Sequence, residues 1–144
     1  MLLGEYEHTI DDKNRVTLPA RFRAAFEGGL VLTRGMDGCI SAYARADWEA
    51  LVQSRLATLD PLSREGRMMQ RFFFSGAAEA VPDKQGRVMV PAALVEAAKL
   101  KKDVVVAGVY DHVEIWDRAT WHTHLDEVEG SAENVAERLA AKRD

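Results

Sequence analysis

"DDKNRVTLPARF" spans residues 11–22 and "DKQGRVMVPAAL" spans residues 83–94. Each sets an aspartate four residues before an arginine, then Val-x-(Leu/Val)-Pro-Ala and an apolar residue two positions on. At a separation of 72, Asp11 matches Asp83, Arg15 matches Arg87, Val16 matches Val88, and Pro19-Ala20 matches Pro91-Ala92. One inserted residue changes the separation to 73, which pairs Gly35 with Gly108, Tyr43 with Trp116, Arg45-Ala46 with Arg118-Ala119, and Trp48 with Trp121. Two strand–turn segments alike by chance would not stay in register that far downstream. The chain is a duplication.

Each copy reads as the same series of elements. "EYEHTI" and "AAEAV" are short strands, and each runs into a turn rich in Asp, Asn, Lys, Gln and Gly. "RVTL" and "RVMV" are β-branched strands. Pro19 and Pro91 end them and suit the first position of a helix, where the fixed φ is helical and the missing N–H is not needed. "PARFRAAFEGG" predicts a short helix with Phe22, Ala25 and Phe26 on one face and Gly28-Gly29 at its end; "PAALVEAAKLKK" is its counterpart. "LVLTRGMDGCISAY" and "DVVVAGVYDHVEIW" predict hairpins turning at Gly35–Gly38 and Gly108–His112. Trp48, Leu51, Val52, Leu56 and Leu59 then fall at helical spacing, closed by Pro61. "LSREGRMMQRFFF" predicts a bridging helix with Met69, Phe72 and Phe73 inward, and "SAENVAERLAAKRD" a polar helix whose only large apolar pair is Val135 and Leu139. The division is a first repeat at 1–60, a helical connector at 61–76, a second repeat at 77–129 and a helical tail at 130–144. A single copy of about seventy residues struggles to bury enough apolar surface, so two copies sharing a core make the stable body.

Charge narrows the function. The net charge of −4 argues against nucleic acid until its distribution is read. Residues 13–23 carry Lys13, Arg15, Arg21 and Arg23 with no acid, and residues 84–102 carry five cations against Glu96, so each segment is +4 and the remainder is −12. Binding follows the local field, and both basic segments start inside the repeated motif. The N-terminus "MLLGEYEHTI" lacks the basic start and long apolar core of a signal peptide. No apolar run approaches the roughly 18 residues of a membrane span. The lone Cys39 fits a reducing compartment. The expectation is a soluble cytoplasmic protein.

An Asp-x-x-x-Arg turn has a purely structural use, because the carboxylate can accept from turn N–H groups while the arginine pairs with it. Two such turns, each opening a net-positive segment, point further. Tips presenting Lys13, Asn14 and Arg15, and Lys84, Gln85 and Arg87, offer the donors that read base edges: Arg and Lys suit guanine, Asn and Gln suit adenine. A two-stranded ribbon also fits the major groove. Asp11 and Asp83 then support the turns rather than meet phosphate.

"LGEYEHTIDDKNRVTLPARFR", with the second "DKQGRVMVPA", resembles the MraZ family of bacterial transcriptional regulators, within the AbrB-like swapped-hairpin superfamily. The resemblance covers nearly the whole chain, and the doubled Asp-x-x-x-Arg followed by Val-x-x-Pro is its specific mark. It implies a mainly β fold with short α-helices (α+β), in which two tandem repeats form a pseudo-two-fold, β-barrel-like body. It implies a homo-oligomeric ring, nucleoid association, and binding of double-stranded DNA at short direct repeats before the division and cell-wall gene cluster, including the protein's own promoter. The family's DNA-contacting turn falls on Asp11, Lys13 and Arg15, and again on Asp83, Lys84 and Arg87. One departure is Asn14 where the turn glycine is expected, matched by Gly86 in copy two; Asn tolerates left-handed backbone better than most residues.

Other chemistries fit less well. His122 and His124, near Asp126 and Glu127, stand two apart in what copy one makes a helix, where such positions diverge; a solvated helix end is the better reading than a metal site. Cys39 lies in a hairpin with no neighbouring histidine in sequence, which suits a half-buried structural thiol. Asp11 and Asp83 each have an arginine beside them, which keeps an acid ionised and unfit as a general acid. No catalytic residue, metal, cofactor or small-molecule substrate is expected. The alternative is an antitoxin-like protein-interaction module without an operator of its own, using residues 131–144.

Overall fold

In the segments "RVT" and "RVM" the middle valine is buried and its neighbours face the other way, as period-two alternation requires. These are β2 (Arg15–Thr17) and β6 (Arg87–Met89), and they pair with each other, antiparallel, with Val16 opposite Val88. Val16 and Val88 are equivalent in the two copies, so a pseudo-two-fold axis passes between them. The flanking bonds obey it: the Leu18 N–H donates to Gly86 O and the Val90 N–H to Asn14 O, both at 2.8 Å. The computed structural model describes residues 1–143.

The other strands form one antiparallel sheet. They are β1 (Leu2–Thr9), β3 (Leu30–Arg34), β4 (Ile40–Ala44), β5 (Ala78–Ala80), β7 (Asp103–Tyr110) and β8 (Val113–Asp117), in the order β1-β7-β8-β4-β3-β5. At its centre Ser41 pairs with Glu114, again equivalent residues, so the same pseudo-axis crosses both sheets. Outward from the axis, β1 of the first copy pairs with β7 of the second, and β5 of the second pairs with β3 of the first. The repeats are interleaved. The body is α+β and mainly sheet, and the sheet is open rather than a closed barrel, with β1 and β5 as its edges.

The core repeats the same symmetry. Val16/Val88, Leu18/Val90, Phe22/Leu94 and Phe26/Ala98 are pairs at the first separation, and Ile40/Val113 and Ala42/Ile115 at the later one; all are buried in one cluster. Strands β3 and β7 break the expected spacing. Leu30 opposes Ala44 as Val104 opposes Asp117, so β3 and β7 are 74 residues apart, not 73. This corrects the match of Gly35 with Gly108: Gly108 pairs with Val113 as Arg34 pairs with Ile40. The second hairpin is one residue tighter at its turn. Gly108 and Val109 therefore lie within β7, and the Val109 N–H donates to His112 O across the turn at 2.8 Å.

Helices cover both faces. On the ribbon side lie α1 (Ala20–Arg23, continued by a 3-10 turn to Phe26) and α4 (Ala92–Ala97). Pro19 and Pro91 precede these helices with ψ of 141° and 140°, so they occupy the cap rather than the first helical position. The prolyl φ fits either place, and the extended ψ is what turns the chain out of the strand. On the other face, α2 (Arg45–Leu51) runs on as a π turn to Leu56, short of Leu59. α3 (Arg64–Ser75) starts at Ser63, whose hydroxyl accepts from the Gly66 N–H at 3.2 Å. Its last carbonyls are taken by β3: the Thr33 hydroxyl donates to Phe73 O at 2.7 Å and Arg34 donates to Phe72 O at 2.8 Å. Met69, Phe72 and Phe73 are half-buried. α5 (Arg118–Arg143) is one helix of 26 residues, so residues 130–143 continue a helix that starts inside the second repeat, and not every helix is short. Among the described residues no helix is long and apolar enough to cross a membrane.

Gly108 is where the interleaving is tightest, because a Cβ there would lie 2.6 Å from the Leu2 carbonyl carbon and from Leu3 N. Gly108→Ala is expected to push β1 off β7 and cost about 1–3 kcal/mol in a urea titration, as overpacking does. Amide exchange should quicken in β1 and stay slow in β2 and β6; unchanged stability would contradict this close approach.

Candidate nucleic-acid interface

The two turns are built alike. The Asp11 carboxylate accepts from the N–H of Lys13 (3.0 Å) and of Arg15 (2.8 Å), and its second oxygen accepts from Arg15 Nε at 2.7 Å. Asp83 does the same for the N–H of Gln85 and of Arg87 (both 2.9 Å) and for Arg87 Nε (2.7 Å). The backbone closes under each carboxylate: Asn14 N–H to Asp11 O and Arg15 O from Asp11 N–H, with Gly86, Asp83 and Arg87 in the matching places. The chain can turn this sharply because Asn14 (φ +58°) and Gly86 (φ +77°) are left-handed. Asn14 thus holds the conformation that the missing glycine would have held.

Each arginine commits only its Nε to the aspartate, which leaves the outer edge of the guanidinium unpaired within the turn. The carboxylates stay ionised. Backbone donation from Arg15 and Arg87 is the largest cause that holds Asp11 and Asp83 below the usual carboxylate range; burial pushes the other way, and side-chain donation from the same arginines adds to the lowering.

The ribbon brings both turns to one face. Val16 and Val88 point into the core, so Arg15, Thr17, Arg87 and Met89 all point out. Arg15 is opposite Met89 and Thr17 opposite Arg87, which makes the two arginines diagonal neighbours. Such diagonal neighbours lie about 7–8 Å apart, with their Cβ atoms somewhat closer, comparable to two base-pair steps at about 3.4 Å each. Lys13, Lys84 and Gln85 are exposed at the tips, while Asn14 is half-buried.

The copies are not chemically equal. Equivalent hydrogen bonds place Gln85 with Lys13, and Lys84 with Asp12, so the two lysines do not correspond. Residues 11–15 carry two acids and two cations, net zero; residues 83–87 carry one acid and two cations, net +1. Sequence reasoning missed Arg23. Its Nε donates to Leu18 O at 3.1 Å, and it lies over Gly86, where a Cβ would come within 2.4 Å of Nε. The only signal was its place in the first basic segment.

The remaining candidates scatter. His122 Nε2 lies 3.6 Å from Glu7, whereas His124 Nε2 lies 3.9 Å from Asp37 with its ring against Trp116, so the two imidazoles turn to different partners. Cys39 is buried in its hairpin, donates to Met36 O at 3.3 Å, and burial first, then Glu114 and Asp37, pushes the thiol up to about 12. It is fully protonated at neutral pH, as a structural thiol should be.

A family model described as "MraZ protein, putative antitoxin-like" matches residues 1–72 and again 73–143. A protein of Roseiflexus sp. (strain RS-1) named "Transcriptional regulator MraZ" is 44% identical over 143 residues, 99% of each chain. Proteins of the same name from Heliobacterium modesticaldum and Thermoanaerobacter pseudethanolicus are 45% and 43% identical over 139 residues, 96% of each chain.

The turn chemistry is testable without DNA. A carboxyl whose folded pKa is depressed stabilises the fold fully above its unfolded value near 3.9, and the contribution is lost as pH falls through the folded value. Carboxyl-carbon NMR should therefore show Asp11 and Asp83 titrating below about 3.9, with the Arg15 and Arg87 amide signals moving in the same steps. Asp11→Asn should abolish the step in turn one and leave that in turn two.

Proposed function

The chain belongs to the MraZ family, and from that premise we propose that it regulates transcription by binding double-stranded DNA with both Asp-x-x-x-Arg turns at once. One observation carries the reading: Arg15 and Arg87, from distant parts of the sequence, stand diagonally on the outer face of a single two-stranded ribbon. A ribbon fits a major groove about 12 Å wide, and arginine's fork reads guanine O6 and N7. Arg15 and Arg87 read bases; Lys13 and Lys84 contact phosphate; Asn14 and Gln85 are the amide groups of the tips; Asp11, Asp83 and Gly86 hold the turns. No catalytic step is assigned to it, and no cofactor or small-molecule substrate.

One ribbon spans only a few base pairs, too little for specificity alone. We therefore infer a homo-oligomer, a ring of copies that engages short direct repeats together, so that each added contact is intramolecular. The acidic remainder of the surface disfavours other orientations on DNA. The targets in this reading are the protein's own promoter and the division and cell-wall genes downstream, which would place it in the cytoplasm at the nucleoid. Residues 1–60 and 77–129 serve as the two reading repeats, 61–76 joins them, and 130–144 is a tail. A second reading, an antitoxin-like protein-interaction module without its own operator, is favoured by the exposed apolar residues Val128, Val135 and Leu139 on α5. DNA binding by the purified chain alone separates the two.

Titration of the upstream DNA by anisotropy tests the reading. Arg15→Ala and Arg87→Ala should each cost about 1–3 kcal/mol on the preferred site and flatten its advantage over scrambled DNA. Lys13→Ala should weaken all sequences alike. Asp11→Asn should weaken binding although it removes a negative charge; tighter binding would show that Asp11 only repels phosphate. Two correctly spaced repeats should bind roughly 10²–10⁴-fold better than one. Inserting about five base pairs, half a helical turn, should remove that gain. Equal affinity for all three DNAs would sink the multivalent model.

A further inference from the structure

Arg23 belongs to the first copy but sits on the turn of the second. The Leu18 N–H donates to Gly86 O at 2.8 Å, and Arg23 Nε donates back to Leu18 O at 3.1 Å, so the guanidinium is moored to the residue that pairs with the second turn. It packs against the bare Cα of Gly86: a Cβ there would lie 2.4 Å from Nε and 2.9 Å from Cζ. Gly86 is buried while Arg23 is exposed. Among the described residues no carboxylate lies within 4.0 Å of this guanidinium and its two terminal nitrogens take no partner. His8 feels the charge, since burial first and Arg23 second hold its imidazole below the ordinary value.

The arrangement is one-sided. The position equivalent to Arg23 is Val95, half-buried against the core, and the position equivalent to Gly86 is Asn14, which carries a Cβ. With Arg23 the second turn holds Lys84, Arg87 and Arg23 against Asp83, net +2, while the first turn holds net zero.

Resting on the DNA-binding reading, we propose that Arg23 is a backbone-phosphate contact of the second turn, so that each subunit grips DNA unequally and binds it in one direction. A guanidinium fixed through Nε presents its Nη edge, the geometry that takes a phosphate bidentately. It lies at the end of the ribbon beside the turn, not on the outer face with Arg15 and Arg87, and therefore reaches backbone rather than base edges. Arginine with a phosphate fixes register without reading sequence.

The test uses the full chain and its upstream DNA, with scrambled DNA beside it, across a series of salt concentrations. Arg23→Ala should lower affinity for both DNAs by the same factor and make the log–log salt slope shallower by about one per bound subunit. Arg23→Lys should keep the slope, because a point charge suffices for phosphate. Gly86→Asn copies the first turn and tolerates the left-handed backbone, but its Cβ displaces the guanidinium; it should reproduce the Arg23→Ala slope and add nothing in an Arg23→Ala background. Wild-type slope in Arg23→Ala would overturn the proposal, as would an Arg23→Lys variant that loses preference for the upstream DNA while keeping the slope. Failure of the underlying reading looks different: Arg15→Ala and Arg87→Ala would then bind like the wild type.

Discussion

Pairing of β2 with β6 about the pseudo-axis is the constraint on which the rest depends. Each strand is three residues long, too short to persist alone, and each pairs along its whole length with the other copy's strand, Val16 adding a single bridge to Ile10. The Val16–Val88 contact seals the core, and the two flanking bonds, Leu18 to Gly86 and Val90 to Asn14, end on the left-handed residues of the turns. A turn in one copy is thus propped by the strand end of the other. Interleaving in the main sheet, β1 on β7 and β5 on β3, has the same effect on a larger scale. Each turn is therefore closed by its own carboxylate and backbone bonds and braced, in addition, from the other repeat.

Within that frame, the Asp–Arg pair resolves a conflict. On the DNA-binding reading, the guanidinium should be free to meet its ligand, yet an arginine side chain free in solution loses much entropy on binding. Spending Nε on the aspartate fixes the direction of Arg15 and Arg87 and leaves the rest of the fork available. The aspartate in turn is held by two backbone N–H groups, so its charge is compensated locally and does not cancel the turn's attraction for an anion. On the DNA-binding reading, the same group that looks repulsive toward DNA organises the cation that would attract it.

Much of this was legible in the residues. Alternation around Val16 and Val88, the prolines, and the doubled Asp-x-x-x-Arg gave the strands, the helix starts and the turns nearly where they stand. What could not be read is what depends on pairing between distant strands. Nothing local says that β1 should choose β7 rather than β3, because the apolar runs "LVL" and "VVV" look alike. The match of Gly35 with Gly108 failed for a related reason: a one-residue change in turn length is invisible until strand register fixes it. Lys84 was matched with Lys13 by residue type, whereas the hydrogen bonds to Asp83 assign Lys13's place to Gln85. Arg23 was hidden because its neighbour, Gly86, is 63 positions away in the chain.

A duplicated chain also escapes a limit of a symmetric dimer. Two identical subunits about a true two-fold must present identical turns, which suits a palindromic site. Here the axis relates Thr17 to Met89, Lys13 to Gln85, Asp12 to Lys84 and Arg23 to Val95, while the core pairs stay apolar and of similar role. The symmetry survives in packing, where interleaved strands demand it, and is lost on the outer face, where nothing in the fold requires it. On the DNA-binding reading proposed above, a surface of that kind would distinguish one direction along a duplex from the other. On the same reading, copies set side by side in a common orientation, as in the ring proposed above, would call for sites repeated in the same sense rather than inverted.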